Sequence, residues 1–177
     1  MHFTLVTLFP EFFTSPLDCG LMAKAREAGI VGVDAVNPRD FAEGNYRSVD
    51  DTPYGGGPGM VMTLPPLMKA LGSVDQPGRM LLLSPKGRPL DQTLARELAQ
   101  EERLTLICGR YEGIDARIES LLPITPVSVG DFVLNGGEAG ALCLMESVSR
   151  LIPGYMGEHD SATEESFSEG LVEYPHY

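Results

Sequence analysis

Met80-Leu81-Leu82-Leu83-Ser84-Pro85-Lys86-Gly87-Arg88 and, further on, Leu104-Thr105-Leu106-Ile107-Cys108-Gly109-Arg110-Tyr111-Glu112-Gly113 decide the fold. Each is a short apolar run that breaks off into a glycine-bearing loop, the pattern of a strand buried on both faces. Between them Leu90 to Gln100 carries helical spacing, and Ile114 to Leu121 predicts another helix. The pattern returns a third time. Pro126 to Val129 leads into Gly130-Asp131-Phe132-Val133-Leu134-Asn135-Gly136-Gly137-Glu138, and a helix is expected from about Glu138 to Ile152. Alternating strands and helices imply an α/β fold, a parallel sheet with helices on both faces. In such sheets ligands sit at the carboxyl ends of the strands. One turn glycine usually serves only backbone geometry. Three glycine loops converging on one sheet edge favour a ligand, because glycine lets the backbone come close and present bare N–H and C=O groups.

Upstream, Phe3 to Phe9 predicts a buried strand. Ser15-Pro16-Leu17-Asp18 reads as a helix start with Ser15 as cap, and Leu17, Leu21, Met22, Ala25 and Ala28 follow at helical spacing up to Gly29. Ile30 to Val36 is a second strand, running into the loop signal Asn37-Pro38-Arg39-Asp40. From Asp40 to Thr63 there is little periodicity and much glycine, and a loop of that length in a compact domain is more often functional than not. Order returns with a short helix from Leu64 to Leu71.

The chain has 177 residues, 43% hydrophobic and 21% charged, enough for one domain that buries about 70% of its unfolded surface. Its 25 acidic and 13 basic residues give a net charge of −12. Taken alone, that sum argues against a nucleic-acid partner, since phosphate binding runs on Lys and Arg. The charge is unevenly placed. Beyond Gly154 stand Glu158, Asp160, Glu164, Glu165, Glu169 and Glu173 with no Lys or Arg, and the rest of the chain is only mildly acidic. Three cysteines, Cys19, Cys108 and Cys143, show no metal-like spacing and suit a reducing compartment. The apolar N-terminus lacks an early basic residue and is broken by Pro10, unlike a signal peptide. No apolar run approaches the ~18 residues of a membrane span. A soluble, cytoplasmic protein is expected.

The common nucleotide and hydrolase signatures are missing from the sequence: no G-x-G-x-x-G after a strand, no G-x-x-x-x-G-K-[ST], no H-E-x-x-H, no CxxC and no G-x-S-x-G. His2, His159 and His176 lie far apart and suggest no triad.

What the sequence does contain is Val49-Asp50-Asp51-Thr52-Pro53-Tyr54-Gly55-Gly56-Gly57-Pro58-Gly59-Met60. This segment closely resembles the signature loop of the bacterial tRNA (guanine-N1)-methyltransferases. The three strand-end segments quoted above match the same family, with Asp115 closing the second, and the similarity runs in order from Phe9-Pro10-Glu11 to Pro175-His176-Tyr177. The resemblance implies a homodimeric SPOUT-class enzyme with a deep trefoil knot, a topology that general chain-connection rules disfavour. It implies S-adenosylmethionine as methyl donor and N1 of the guanosine at tRNA position 37 as acceptor. Neither a membrane nor DNA is expected as a partner. By matching motif, the cofactor pocket is lined by Leu82, Leu83, Ser84, Pro85, Gly87, Gly109, Glu112, Val129, Gly130, Asp131, Phe132, Val133, Leu134, Gly136, Gly137 and Gly140. Apolar side chains with backbone hydrogen bonds can hold an adenine without a phosphate cradle.

The chemistry asks for a carboxylate to take the proton from guanine N1 and a cation to meet the charge pushed onto O6. The family supplies an aspartate after the knot and an arginine on the preceding helix. The matching positions here are Glu165, in Thr163-Glu164-Glu165-Ser166-Phe167, and Arg150, each expected to serve the other subunit's site. Glu165 departs from the family by one methylene, a shift of about an ångström that can cost ~10²-fold if uncompensated, and Glu164 is the neighbouring alternative. Arg150 could instead form a surface pair with Glu146, worth ~0.3–0.5 kcal/mol, and Glu165 could be a solvated tail acid. Asp50, Tyr54, Pro58 and Gly59 would contact the tRNA or shape the guanine pocket, although Asp50 equally suits a plain turn. Lys24, Arg26, Arg39, Arg47, Lys86 and Arg88 are candidate phosphate contacts, scattered along the chain. Mg²⁺ is a candidate activator through Glu112, Glu165 or Glu173.

The resemblance divides the chain into a knotted cofactor domain at 1–157 and an acidic interdomain segment at 158–177, with the family's C-terminal tRNA-binding domain absent. Two other assignments stay open: a knotted methyltransferase acting on another RNA atom such as a ribose 2′-OH, and a non-catalytic RNA-binding or dimerisation module. The expected outcome for the purified 177-residue chain is a dimer that binds S-adenosylmethionine and methylates tRNA poorly. Robust turnover by that chain would contradict it.

Overall fold

Along the strand that begins at Arg79, Leu81 and Leu83 are buried on one face and Met80 and Leu82 on the other, so both faces of the sheet are covered. The computed structural model describes residues 1–156. In chain order its strands are β1 (His2–Val6), β2 (Gly32–Val36), β3 (Asp50–Asp51), β4 (Val61–Met62), β5 (Arg79–Pro89), β6 (Arg103–Cys108) and β7 (Ile124–Ser128). The α-helices are α1 (Thr14–Leu17), α2 (Gly20–Glu27), α3 (Leu64–Gly72), α4 (Gln92–Leu98), α5 (Ile118–Leu121) and α6 (Glu138–Ser149). Two 3₁₀ turns, Pro10–Phe13 and Pro38–Phe41, follow the ends of β1 and β2.

Five strands form one sheet in the order β2-β1-β6-β5-β7, every pairing parallel, as the βα alternation predicts. β6 is the middle strand, with Leu106 paired to Leu5 on one side and Leu81 on the other. One face packs Phe3, Leu5, Leu81, Leu104 and Leu106 against residues of α1, α2, α4 and α6. The opposite face packs Val6, Leu82 and Ile107 against Leu67, Ala70 and Leu71 of α3 and Ile118 of α5. α4 starts where Asp91 accepts a hydrogen bond from the Leu94 amide at 2.7 Å, a side-chain cap worth about 1 kcal/mol.

Four expected boundaries change. Ser84 to Arg88 is not a loop but the far half of β5. After a register shift it pairs again with β7, Arg88 opposite Val127 and Pro89 opposite Ser128, and the Leu90 amide then reaches Ser128 O at 2.7 Å. The expected helix from Ser15 to Gly29 is two helices. Arg26 Nη1 donates to both Leu17 O and Asp18 Oδ1 at 2.8 Å and fixes the break, and Gly20 takes φ +62 where the chain restarts. Ser15 lies inside α1 and makes no cap bond. Ile114 to Arg117 is not helical, because its backbone is used by the Asp40–Thr63 segment: Met62 N donates to Gly113 O and Asp115 N to Met62 O. β1 stops at Val6, and Pro10 opens a turn in place of the strand expected to run to Phe9.

Leu106, wholly buried in the middle of β6, tests the arrangement. Leu106→Ala is expected to lower stability by about 2–5 kcal/mol, read as a lower urea midpoint at unchanged slope.

Candidate functional site

β6 and β7 end close to the level of Leu83 in β5. The Ser84–Lys86 stretch inside β5, Gly109–Ile114 after β6 and Val129–Gly137 after β7 therefore share one edge, where they enclose a cleft of about 300 Å³. Two backbone contacts hold these segments in place. A Cβ at Gly87 would strike the backbone of Pro126 and Val127, and one at Gly137 would sit 2.7 Å from Cys108 Cα. Gly137 N also donates to Gly109 O at 2.9 Å, which ties the start of α6 to the end of β6.

Of the residues expected to face a cofactor, Leu82, Leu83, Ser84, Pro85, Gly109, Glu112, Val129, Gly130, Phe132, Val133, Leu134, Gly136, Gly137 and Gly140 line this cleft. Two do not. Gly87 is spent on the β5–β7 contact, and Asp131 points to solvent. Phe132, Val133 and Leu134 form an exposed apolar rim. The cleft also takes in Arg110, Tyr111, Ile114 and Asn135, which the sequence did not single out. They share loops with expected residues, and adjacency was the only signal for them.

The Asp40–Thr63 segment is anchored on this edge. β3 and β4 pair antiparallel, Asp50 opposite Met62, and β4 lies against the Gly109–Ile114 loop, with Glu112 N donating to Met60 O at 2.9 Å. The Glu112 side chain packs on Gly59 so closely that a Cβ there would overlap it. Glu112 is thus where the signature loop meets the cleft. Asp50, Tyr54 and Pro58 belong to the same segment but not to the cleft wall, and Tyr54 is fully exposed.

The cationic candidates do not gather. Arg26 is paired with Asp18 at 2.8 Å, and Arg88 with Glu97 at 2.7 Å. Hydrogen bonds from Arg88 and Arg79 hold the Glu97 carboxyl below its ordinary range. Arg39 donates to Arg47 O at 3.3 Å, and Arg47 lies 3.7 Å from Asp40, so these two flank the signature segment. Lys86 alone of the six lines the cleft, and Lys24 stands on α2.

Arg150 caps the C-terminal end of α6, whose N-terminal end faces the cleft. Twelve helical residues put about 18 Å between those ends. Arg150 acts on Tyr155, whose phenol is pushed up by burial and by the charge of Glu146, with Arg150 opposing. Glu164, Glu165 and Glu173, and the acidic segment that holds them, lie outside the described residues. Among the described residues no three His, Cys, Asp or Glu side chains come together as a metal would need, and no helix is long and apolar enough to cross a membrane.

Comparison with known proteins agrees with the motifs. The family model described as tRNA (Guanine-1)-methyltransferase TrmD matches residues 1–177. The chain is 66% identical over 177 residues to the tRNA (guanine-N(1)-)-methyltransferase of Oleidesulfovibrio alaskensis and 63% identical to that of Nitratidesulfovibrio vulgaris. Both matches cover all of this chain and 42% of the relative, so the chain spans less than half the length of these two proteins. It is also 52% identical to the enzyme of the same name from Synechococcus sp. (strain JA-3-3Ab), covering 71% of it.

Cys108 reports on how closed the sheet edge is. Burial pushes its thiol well up, and the nearby charge of Glu138 adds to the effect, whereas Cys19 and Cys143 are exposed. A thiol-reactive dye at pH 8 should label two cysteines of the folded protein quickly and the third only on unfolding. Rapid labelling of all three would show that the packing of β6 behind the cleft is open.

Proposed function

The chain belongs to the tRNA (guanine-1)-methyltransferase family, and on that premise we propose that it transfers a methyl group from S-adenosylmethionine to N1 of guanosine at tRNA position 37. The observation that carries the proposal is the cleft itself. The middle of β5 and the loops after β6 and β7 close on one space with apolar walls at Leu82, Val129 and Leu134 and bare backbone at Gly109 and Gly136. Those residues fit an adenosine held by packing and backbone hydrogen bonds, and the cleft lies in the size range of small-ligand sites. The proposal includes the deep trefoil knot of the family. The second passage of β5 along β7, and the return of the chain past Cys108 at Gly137, support it.

When bound there, S-adenosylmethionine supplies the electrophilic methyl of its sulfonium. This chain's residues do the rest. The Ser84–Lys86, Gly109–Ile114 and Val129–Gly137 segments orient the donor and exclude water. The signature segment, held by Glu112 against Gly59, presents Asp50, Tyr54 and Pro58 to an unstacked guanosine, where single-stranded RNA can be read by stacking and base-edge bonds. Glu165 takes the N1 proton, and Arg150 offers a guanidinium to the charge that collects on O6. Because Arg150 stands about 18 Å along α6 from the cleft of its own chain, it serves the cleft of a second subunit in a homodimer. Were Mg²⁺ to take part, Glu112 and Glu119 are the described carboxylate residues that line the cleft. The protein works in the cytoplasm, where its tRNA substrate is.

Nucleoside mass spectrometry of tRNA treated with the protein at its full natural length tests the proposal, with 1-methylguanosine expected. A 2′-O-methylated nucleoside would point to another acceptor atom. Absence of both methyl transfer and cofactor binding would leave only a non-catalytic module. Arg150→Ala should lower kcat by roughly 10²–10³-fold, the cost of one lost transition-state donor, with cofactor affinity nearly unchanged.

A further inference from the structure

Glu138 is the most deeply buried charged side chain among the described residues, at 1% exposure, and it sits in the first turn of α6 beside the cleft. Its Oε1 accepts a hydrogen bond from Thr7 Oγ1 at 2.8 Å, and Thr7 Oγ1 in turn accepts from Phe9 N at 3.0 Å. Its Oε2 faces Arg110 Nη2 at 3.0 Å. Neither Glu138 Oε2 nor Arg110 Nε has a hydrogen-bond partner of its own among the described residues, so charge rather than alignment holds the pair. Arg110 is itself fixed on two other sides. Its guanidinium lies 4.5 Å from the centre of the Phe9 ring, and Nη1 donates to Asn135 O at 3.4 Å. Gly136 leaves the room for this pair, since a Cβ there would overlap Arg110 and lie 2.6 Å from Glu138 Oε2.

Arg110 lines the cleft, and Glu138 lies behind it. An unbalanced guanidinium in that wall would repel a cationic ligand, and S-adenosylmethionine carries a sulfonium at its reacting centre. We infer that Glu138 is a positioning residue, the buried counter-ion that holds Arg110 against Phe9 and Asn135 and cancels its charge so that the cleft accepts a sulfonium. The inference rests on the proposed cofactor. It goes beyond the family's base and cation, because it concerns the ground-state selection of the charged donor over the uncharged thioether left after transfer.

Calorimetry with S-adenosylmethionine and with S-adenosylhomocysteine reads this directly on the intact protein and two variants. Glu138→Gln keeps the shape and the Thr7 contact but frees the Arg110 charge. It should weaken the sulfonium ligand roughly tenfold more than the thioether, the scale of one uncompensated charge across a cleft in a protein-like dielectric. Arg110→Gln leaves the Glu138 charge in place and should shift the same ratio the other way, so the two variants have opposite expected signs. A role confined to packing would weaken both ligands together and leave the ratio alone. An unchanged ratio in Arg110→Gln, or equal losses for both ligands in Glu138→Gln, would overturn the inference. Failure of the unaltered protein to bind either ligand would overturn the proposed cofactor, and with it this role for Glu138.

Discussion

Close approach of one backbone to another is the constraint on which the site depends. At Gly87 the far half of β5 presses on Pro126 and Val127, and at Gly137 the start of α6 presses on Cys108 and Gly109. No side chain fits at either place. If either were pushed apart by a few tenths of an ångström, the Ser84–Lys86 stretch of β5 and the loops after β6 and β7 would no longer share one space, because each is positioned by the strand that carries it. Such crowding is affordable only in a sheet that does not move. Burial of Leu81, Leu104 and Leu106 on one face and Leu82 and Ile107 on the other provides that rigidity.

The second half of the site is built on this one by main-chain bonds. β4 reaches across to Tyr111 and Ile114 as if extending the Gly109–Ile114 loop, and Glu112 is gripped from both directions, by Met60 O at its amide and by Gly59 at its side chain. A long glycine-rich segment is thereby fixed at the cleft, pinned a second time where Val49 is buried with Leu8 and Met62, and exposed between these anchors at Tyr46 and Tyr54. That division suits the proposed function, in which one surface holds a donor firmly and admits a large RNA. The net charge of −12 says little about it, since half of that excess lies beyond Gly154.

Much of this was legible in the residues. Apolar runs at β5, β6 and β7 declared a parallel sheet, and their glycine loops declared which edge would carry the cleft. Most of the residues carried over by motif meet there, because the motifs are themselves strand ends. The exceptions have one physical cause, which is that tertiary contact overrode local pattern. Ser84 to Arg88 holds Pro and Gly and so reads as a loop, yet it stays extended because β7 pairs with β5 on both sides of it, at Leu83 and again at Arg88. Gly87 looks like a loop residue offered to a ligand and is used for close packing. Ile114 to Arg117 has helical spacing and is drawn off by β4. Arg110 and Glu138 lay within the motifs, but no sequence pattern joins Thr7, Phe9, Arg110 and Glu138, which meet only when β1 and β6 pair.

The helix that links these parts shapes the chemistry. α6 begins at a buried ion pair and ends at Arg150, and between them Ala141, Leu144, Met145 and Val148 are locked into the core. Breaking a buried pair from one side costs about 3–5 kcal/mol, so the start of the helix is fixed relative to the cleft. A helix fixed at one end and packed along its length also fixes the other end. Arg150 therefore cannot swing back through about 18 Å to the cleft of its own chain without unpacking the core. If Arg150 acts on the guanosine at all, it acts across a subunit boundary. Dimerisation would then be part of the proposed active site, with each α6 setting a cofactor wall in one subunit and placing a catalytic cation in the next.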